Sequence, residues 1–279
     1  NGNSVGRFRL GAEKITTKYD HRVISHNLSL EIPDQSFTVI IGPNACGKST
    51  LLRTFSNLVK PSSGHVILDG KKISTYKSKE LAKKLGLLPQ TSSAPDGITV
   101  ANLIAHGRYP YQNFFQQWTD EDEQAVLTAM ELTQTTDLAA RYVDELSGGQ
   151  RQRVWIAMVL AQQTPFLLLD EPTTYLDIAH QIELLELFAD LNERGHTIVA
   201  VLHDLNHAAR YATHLIAMKA GKVIDQGKPS EIVTEELMEE VFGLKCKVIQ
   251  DPVAGTPLVV PLGRGRSSLR KMQDAPSSL

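Results

Sequence analysis

The residues best suited to chemistry in this 279-residue sequence begin with a glycine-rich loop that fits the pattern G-x-x-x-x-G-K-[ST]. The loop stands between an apolar run, Phe37–Ile41, and a stretch that favours a helix, Ser49–Asn57, as a phosphate-binding loop must. Glycines let the backbone wrap an anion, and the N–H groups that open a helix point at it. A chance match is expected in about one chain in a hundred of this size. The loop comprises Gly42, Pro43, Asn44, Ala45, Cys46, Gly47, Lys48 and Ser49, and Thr50 follows it.

Three side chains of this loop have distinct chemistry. Lys48 would place its charge on the β- and γ-phosphates of a nucleotide, and the Ser49 hydroxyl would ligate Mg²⁺. The Cys46 thiol fits two interpretations. It is either a thiol made reactive by the helix N-terminus and Lys48, or a small residue that the loop tolerates.

Two acidic residues follow the apolar run Phe166–Leu169 directly. Asp170 would reach the Mg²⁺ shell, where it is the usual partner of a phosphate-loop serine. Glu171 would then be free to orient or deprotonate the water that attacks the γ-phosphate. Taken alone, the pattern also fits an apolar strand that ends in solvated acids. Beside a phosphate loop it indicates nucleotide hydrolysis.

A third motif, Leu146–Gln150, opens a predicted helix. Ser147 is a good helix cap, and Gly148 and Gly149 allow the backbone to approach an anion closely. Five fixed positions arise by chance in roughly one chain in several thousand. A match at all five positions of Leu146–Gln150 is therefore rarely accidental.

The elements that carry these motifs predict an α/β fold. Short apolar runs, including Ile198–Leu202, indicate strands buried on both faces of a mainly parallel sheet. Helical stretches at Gln150–Gln163 and Ala179–Arg194 alternate with the strands, so we expect a phosphate-loop NTPase core with right-handed crossovers. Gly64–Gly70 is typical of a strand that ends in an Asp-Gly turn, which predicts an antiparallel β portion near the N-terminus.

The middle of the chain has little strand signal. We expect a helical subdomain inserted at about 91–160, with one helix opening at Thr119 because acidic residues follow it at the positive end of the helix.

In this order, the phosphate loop, Leu146–Gln150 and the Asp170–Glu171 pair resemble the ATP-binding subunits of ABC transporters. The resemblance extends from Phe8 to about Leu262. It implies an ABC ATPase domain at 8–262, and the polar composition beyond it predicts a disordered tail at 263–279. The resemblance further implies ATP and Mg²⁺ as cofactors, with hydrolysis of ATP to ADP and phosphate.

The same resemblance implies roles for individual residues. Tyr19 matches the aromatic residue that stacks on adenine, although a strand-end tyrosine in the core also fits. Gln90 matches the glutamine that contacts Mg²⁺ or water and senses the membrane partner. Asp177 occupies the D-loop position, and His203 matches the histidine that contacts the γ-phosphate. In the family, Ser147–Gln150 act on the nucleotide held by the other subunit, which implies that two copies sandwich two ATP molecules.

Finer features resemble importers of ferric siderophores: the phosphate loop, Ala105–Tyr111 and Thr173–Asp177. ATPases of cobalamin or haem importers are alternatives. A non-transport ABC ATPase is a further alternative, although the chain has neither a second ATPase unit nor a long coiled coil. The family docks its membrane subunits on the helical insertion, which includes Tyr109–Trp118; these aromatics fit a local core equally well.

The implied partners are a second copy of this chain, integral membrane permease subunits, and a periplasmic or lipoprotein substrate-binding protein. The implied location is peripheral, at the cytoplasmic face of the inner membrane.

Composition excludes other classes of protein. With 29 Lys+Arg against 31 Asp+Glu, the chain lacks the basic surplus typical of nucleic-acid binders, so we expect no nucleic-acid partner. Two cysteines are too few for a disulfide framework. The longest uncharged stretch of interest, Val154–Leu169, is shorter than the ~20 apolar residues of a membrane span, and no signal peptide is visible. The basic tail from Arg264 fits either contact with anionic lipid or a solvated segment.

Overall fold

The computed structural model describes residues 8–113 and 118–263. Its strands are β1 (Leu10–Tyr19), β2 (Arg22–Ile32), β3 (Phe37–Ile41), β4 (Ser63–Leu68), β5 (Lys71–Lys72), β6 (Leu85–Leu88), β7 (Phe166–Asp170), β8 (Thr197–Val201), β9 (His214–Lys219), β10 (Lys222–Gly227), β11 (Cys246–Gln250) and β12 (Pro257–Pro261). Its helices are α1 (Lys48–Phe55), α2 (Ser78–Ala82), α3 (Val100–Ala105), α4 (Asp120–Leu132), α5 (Gly148–Ala161), α6 (Ile178–Glu193), α7 (Leu205–Tyr211), α8 (Pro229–Ile232) and α9 (Glu235–Phe242).

A six-stranded sheet with the order β10-β9-β3-β8-β7-β6 forms the centre of the molecule. Strands β6, β7, β8, β3 and β9 are parallel, and only the hairpin partner β10 is antiparallel. Every residue of β3, β7 and β8 is buried. These strands have apolar neighbours on both faces, which explains why their sequences are continuous apolar runs. The predicted α/β class with a mainly parallel sheet is confirmed.

The two faces of this sheet have separate cores. Helix α6 packs on one face through residues such as Leu185 and Phe188. On the other face, α1 places Leu52 and Phe55 between the central sheet and a second sheet. Helix α1 is therefore clamped on both sides, which holds the start of the helix, and the loop before it, at the edge of the central sheet.

The second sheet is antiparallel, with the order β2-β1-β4-β5, and it confirms the predicted antiparallel portion near the N-terminus. Strand β4 ends in a tight turn at Asp69 and Gly70, whose φ angles are 49° and 76°. Both central residues of such a turn need positive φ, and Asp-Gly supplies them at low cost.

Helices α3, α4 and α5 form a third core around residues such as Val100, Met130 and Val154, which confirms the expected helical insertion. Thr119 caps the start of α4, as predicted, through a reciprocal capping pair with Asp122. Helix α5 also packs on the central sheet through Ile156. The insertion is thus joined to the central core by a shared helix.

The C-terminal part of the described chain is a hairpin of β11 and β12, which sequence patterning did not predict. The expected disordered tail at 263–279 falls outside the described residues except for Gly263. Within residues 8–113 and 118–263, no helix combines the length and apolar character that crossing a lipid bilayer requires.

Candidate functional site

The candidate site lies where β3, β6, β7 and β8 end. Because these neighbouring strands are parallel, the residues that follow them meet at one edge of the sheet, the usual place for ligands in such folds. A cavity of about 610 Å³ opens there. It is lined by Arg22, Val23, Ile24, Asn44, Ala45, Cys46, Gly47, Lys48, Ser49, Thr50, Gln90, Glu171, His203, Ala220 and Gly221.

The phosphate loop joins β3 to α1 and uses its glycines for two different reasons. At Gly42 a Cβ atom would lie 2.3 Å from the Met218 carbonyl oxygen, so any side chain would collide with β9. Gly47 caps α1 with φ 97°, a conformation that L side chains rarely adopt. Within the described chain, no backbone N–H group of 45–50 donates a hydrogen bond to protein. This run of unpaired donors at a helix N-terminus suits a phosphate group.

Lys48 is only 5% exposed, although it carries a charge. Its Nζ donates to the carbonyl oxygens of Gly42 (2.7 Å) and Pro43 (2.8 Å), and it lies 3.7 Å from Cys46 Sγ. The loop's own carbonyls thus hold the ammonium group beside the unpaired N–H donors. Cys46 is itself buried, which favours its interpretation as a small residue that fills the loop.

Ser49, which lines the cavity, contacts Asp170 at the end of β7. Ser49 Oγ donates a hydrogen bond to Asp170 Oδ1 over 3.2 Å. Burial raises the pKa of Asp170, and the nearby charge of Glu171 acts in the same direction, although the Ser49 hydrogen bond opposes both. A hydroxyl and a carboxylate are oxygen ligands of the kind Mg²⁺ prefers. These two residues therefore fit a Mg²⁺ ion bound together with nucleotide phosphates.

Two polar side chains contact the same carboxylate oxygen of Glu171. His203 Nε2 lies 2.8 Å from Glu171 Oε1, and Gln90 Nε2 donates to this oxygen over 3.2 Å. Glu171 adopts the left-handed φ of 54°, while its N–H donates to the Val201 carbonyl of β8. The carboxylate is mostly buried and the His203 ring is half exposed. A carboxylate fixed from two sides in this way can orient a water or take a proton from it.

The Ser147–Gln150 motif lies elsewhere. Ser147 caps α5, accepting from Gln150 N–H (3.2 Å) while Gln150 Oε1 accepts from Ser147 N–H (3.1 Å). Gly148 packs against Tyr175, and Asp177 caps α6 by accepting from His180 N–H. This group lines no part of the phosphate-loop cavity.

Two large hydrophobic side chains beside this motif are exposed to solvent. Tyr175 is 73% exposed and Ile178 is 75% exposed, and Asp177 lies between them. We call Ser147–Gln150 with Tyr175–Ile178 the signature surface.

Tyr19 ends β1 and is 70% exposed, so it is not the core tyrosine of the alternative interpretation. Its cross-strand partner Arg22 lines the cavity together with Val23 and Ile24, whereas Tyr19 itself stands at the rim, outside the lining.

Sequence reasoning missed part of the cavity wall. Arg22–Ile24 and the turn Ala220–Gly221 carry no motif. The sequence signal for this wall is the glycine Gly221 itself. The structure shows why a glycine is needed there: a Cβ atom would lie 1.8 Å from the Ile24 carbonyl oxygen, and the Gly221 N–H donates to the Cys46 carbonyl. This glycine joins the phosphate loop to both β-sheets.

A phosphate loop, an adjacent buried Asp-Glu pair and a helical insertion in a mainly parallel sheet define a nucleotide-hydrolysing P-loop protein. Comparison with known proteins then narrows the class. The family model for ABC transporters matches residues 25–174, and the chain belongs to this family.

The most similar relatives and structures agree on this family. The ferric enterobactin transport ATP-binding protein of Escherichia coli (strain K12) is 61% identical over 92% of this chain and 95% of its own length. A siderophore transport system ATP-binding protein of Bacillus subtilis (strain 168) is 53% identical over 94% of this chain and 96% of its own. The dimeric structure of a bacterial ABC transporter cassette matches with a TM-score of 0.71 and 30% identity, over 78% of this chain and 98% of that one. The chain is therefore an ABC-type ATPase that binds nucleotide and works with membrane-embedded partner subunits.

Proposed function

We propose that this chain is the ATP-hydrolysing subunit of an inner-membrane importer of ferric siderophores. The observation that carries hydrolysis is the convergence of Gln90 and His203 on Glu171 at the mouth of the phosphate-loop cavity. The cargo class is supported by the two relatives described above, one named for ferric enterobactin and one for siderophore transport.

In this proposal the phosphate loop, through Thr50, holds the triphosphate of ATP. The unpaired N–H donors of 45–50 and the Lys48 ammonium group receive the β- and γ-phosphates. Ser49, Asp170 and Gln90 hold Mg²⁺, which when bound neutralises charge that develops on the phosphates. Tyr19 supplies a ring for adenine from the rim of the cavity.

Glu171 orients and deprotonates the attacking water in this proposal. His203 holds the carboxylate through Oε1 and presents its half-exposed ring to the γ-phosphate. Because Gln90 donates to the same oxygen, any movement of the loop after β6 changes the environment of Glu171. This arrangement would let a membrane partner that contacts the insertion control hydrolysis.

Two copies of the chain form the working unit in this proposal. Each cavity contains a phosphate loop and Glu171 but no residue of the signature surface, which is exposed on the same chain. A second copy would bring its Ser147–Gln150 and Asp177 to the first copy's nucleotide. The dimeric arrangement of the matched cassette supports this proposal.

The proposal also covers the extent of the ATPase domain, its other partners and its location. A single ABC ATPase domain spans 8–262 and binds permease subunits through the helical insertion, where Tyr109 is 63% exposed and Trp118 is also exposed. The segment between them includes residues outside the described chain. A periplasmic or lipoprotein substrate-binding protein delivers the cargo, and this chain lies peripherally at the cytoplasmic face of the inner membrane.

The test measures uptake in cells whose only copy of the chain carries Glu171→Gln. Cells receive ⁵⁵Fe-loaded catecholate siderophore, ⁵⁵Fe-loaded hydroxamate siderophore, labelled cobalamin or labelled haem in parallel. Glu183→Gln, an exposed charge change on α6, is the matched control. Immunoblotting checks that both variants accumulate equally.

We expect Glu171→Gln to abolish uptake of at least one ferric siderophore and Glu183→Gln to leave it intact. Loss of cobalamin or haem uptake alone would keep the ATPase and overturn the siderophore cargo. Normal uptake of all four compounds would contradict a role in import.

A further inference from the structure

The C-terminal hairpin packs against α7, the short helix that begins two residues after His203. Asn206 of α7 makes a paired contact with Val259 of β12. Its Oδ1 accepts from the Val259 N–H over 2.7 Å, and its Nδ2 donates to the Val259 carbonyl over 3.2 Å. The Asn206 side-chain amide thus pairs with the backbone N–H and carbonyl of Val259 in the way a neighbouring β-strand would.

One helical turn later, Arg210 makes a second contact on the same face of α7. Its Nε and Nη2 each donate to the Asp251 carboxylate over 3.1 Å. Asp251 follows β11 directly and accepts from the N–H groups of Val253 and Ala254 as well. These backbone hydrogen bonds, and then Arg210, lower the pKa of Asp251. The carboxylate is fixed by the hairpin turn, so it fixes Arg210 in return.

The core holds one side of α7 through Ala208 and Ala209, and the hairpin contacts hold the other, so both set its position. Helix α7 has seven residues, and isolated helices shorter than ~12 residues are marginal in water. Its N-cap residue, Asp204, is the next residue after His203. The half-exposed His203 ring reaches Glu171 Oε1 at 2.8 Å, a contact that a shift of about 1 Å would break.

We infer that Asn206, Arg210 and Asp251 are positioning residues for hydrolysis. They dock the C-terminal hairpin on α7 and thereby hold His203 against Glu171. The hairpin lies outside residues 25–174, the part that the family model covers. This inference rests on the proposed role of His203.

The test compares variants of the purified full chain. Arg210→Ala, Asp251→Asn and Asn206→Asp each break an α7–hairpin contact. Lys247→Ala is the matched control, because Lys247 lies on the same hairpin but pairs with Glu235 of α9. His203→Ala is combined with Arg210→Ala. Steady-state ATP hydrolysis gives kcat and KM, and thermal unfolding identifies any variant that does not fold.

We expect each contact variant to lower kcat about tenfold, the scale for a small misplacement of a reacting group, with KM for ATP changed less than about twofold. Lys247→Ala should keep the original kcat. In the His203→Ala background, Arg210→Ala should cause no further loss. Spectra of isotope-labelled histidine should show the His203 ring signal moving in Asp251→Asn and staying in place in Lys247→Ala.

Other results would overturn the inference. If His203→Ala keeps the original kcat, the role of His203 fails and the inference fails with it. If His203→Ala loses activity while the folded contact variants keep theirs, only the inference is wrong. An additional loss in the His203→Ala background would mean that the hairpin acts on the whole fold. Asp251→Asn and Asn206→Asp preserve side-chain shape. If Arg210→Ala does not fold, the kcat values of these two variants decide the outcome.

Discussion

The phosphate-loop cavity and the helical insertion both bury a carboxylate, and the two carboxylates differ in how they are paired. At the phosphate-loop cavity, Asp170 has one hydrogen-bond donor, Ser49, and a like charge beside it in Glu171. In the helical insertion, Arg108 is 3% exposed and donates to Asp122, the Ala161 carbonyl and Gln163. We call the Arg108–Asp122 pair, with Thr119, the insertion anchor.

The pKa directions express this difference. Burial alone would raise the pKa of both carboxyl groups. At Asp122 the hydrogen bonds from Arg108 and Thr119 outweigh burial, so its pKa is lowered. At Asp170 burial prevails and the pKa is raised. Among the described residues no cation forms an ion pair with Asp170, although Lys48 and Arg53 act on it from farther away, and this suits a site that binds a metal ion; the fully paired Asp122 suits a structural contact.

The largest expected effect tests the cavity side of the comparison. Glu171→Gln removes the proposed base but keeps the side chain's shape and one acceptor oxygen. We expect kcat for ATP to fall by about 10³-fold, within the range for general acid–base groups. Thermal unfolding and binding of a fluorescent ATP analogue should stay close to those of the original chain. A kcat within threefold of the original would contradict the role of Glu171.

The insertion anchor should show the reverse pattern. Arg108→Ala leaves Asp122 as an uncompensated buried charge, so we expect the free energy of unfolding to fall by about 3–5 kcal/mol. Urea unfolding measures this change. The double variant Arg108→Met/Asp122→Leu should recover most of the loss, because no unpaired charge remains. If Arg108→Ala were as stable as the original chain, the Arg108–Asp122 pair would not be the structural contact that the comparison requires.

The pH dependence of stability should have opposite signs in the two regions. Because the pKa of Asp170 is raised, its ionised form destabilises the fold, and this cost grows as pH rises through that pKa. Asp170→Asn should therefore raise the melting temperature at pH 7, with a gain that shrinks towards pH 4. The lowered pKa of Asp122 stabilises the fold at neutral pH and loses this effect in acid, so Asp122→Asn should lower the melting temperature at pH 7.

Melting curves of both variants between pH 4 and pH 8 measure these changes. Asp170→Asn should also lose Mg²⁺-dependent ATP hydrolysis, although its stability rises. Shifts of the same sign in both variants would contradict the comparison.

The smallest expected effect is at the rim of the cavity. Tyr19→Ala removes an exposed ring, and stacking on a base contributes about 1–3 kcal/mol. Because the rim remains open to water, we expect the lower end of this range, about a fivefold rise in KM for ATP with kcat unchanged. Tyr19→Phe keeps the ring and should behave like the original. An unchanged KM in Tyr19→Ala would place adenine elsewhere along the wall.

Local sequence determined the parts of this protein whose physics is local. The phosphate loop needs glycines, a lysine and a helix start within a few residues, and all of these are visible as spacing. The apolar runs of β3, β7 and β8 predicted buried parallel strands, and the caps Thr119 and Ser147 predicted where helices begin. The position of Asp170 and Glu171 at a strand end was predicted from the apolar run that directly precedes them.

Only the tertiary structure decided which of these parts meet. Gln90 and His203 converge on Glu171 because β6, β7 and β8 are neighbours, and strand order depends on packing across the whole sheet. The insertion anchor joins residues 14 positions apart that do not share one helix or strand, and sequence periodicity relates only residues within one element. The docking of the C-terminal hairpin on α7 arises the same way, because side chains far apart in sequence acquire partners only after the core has formed.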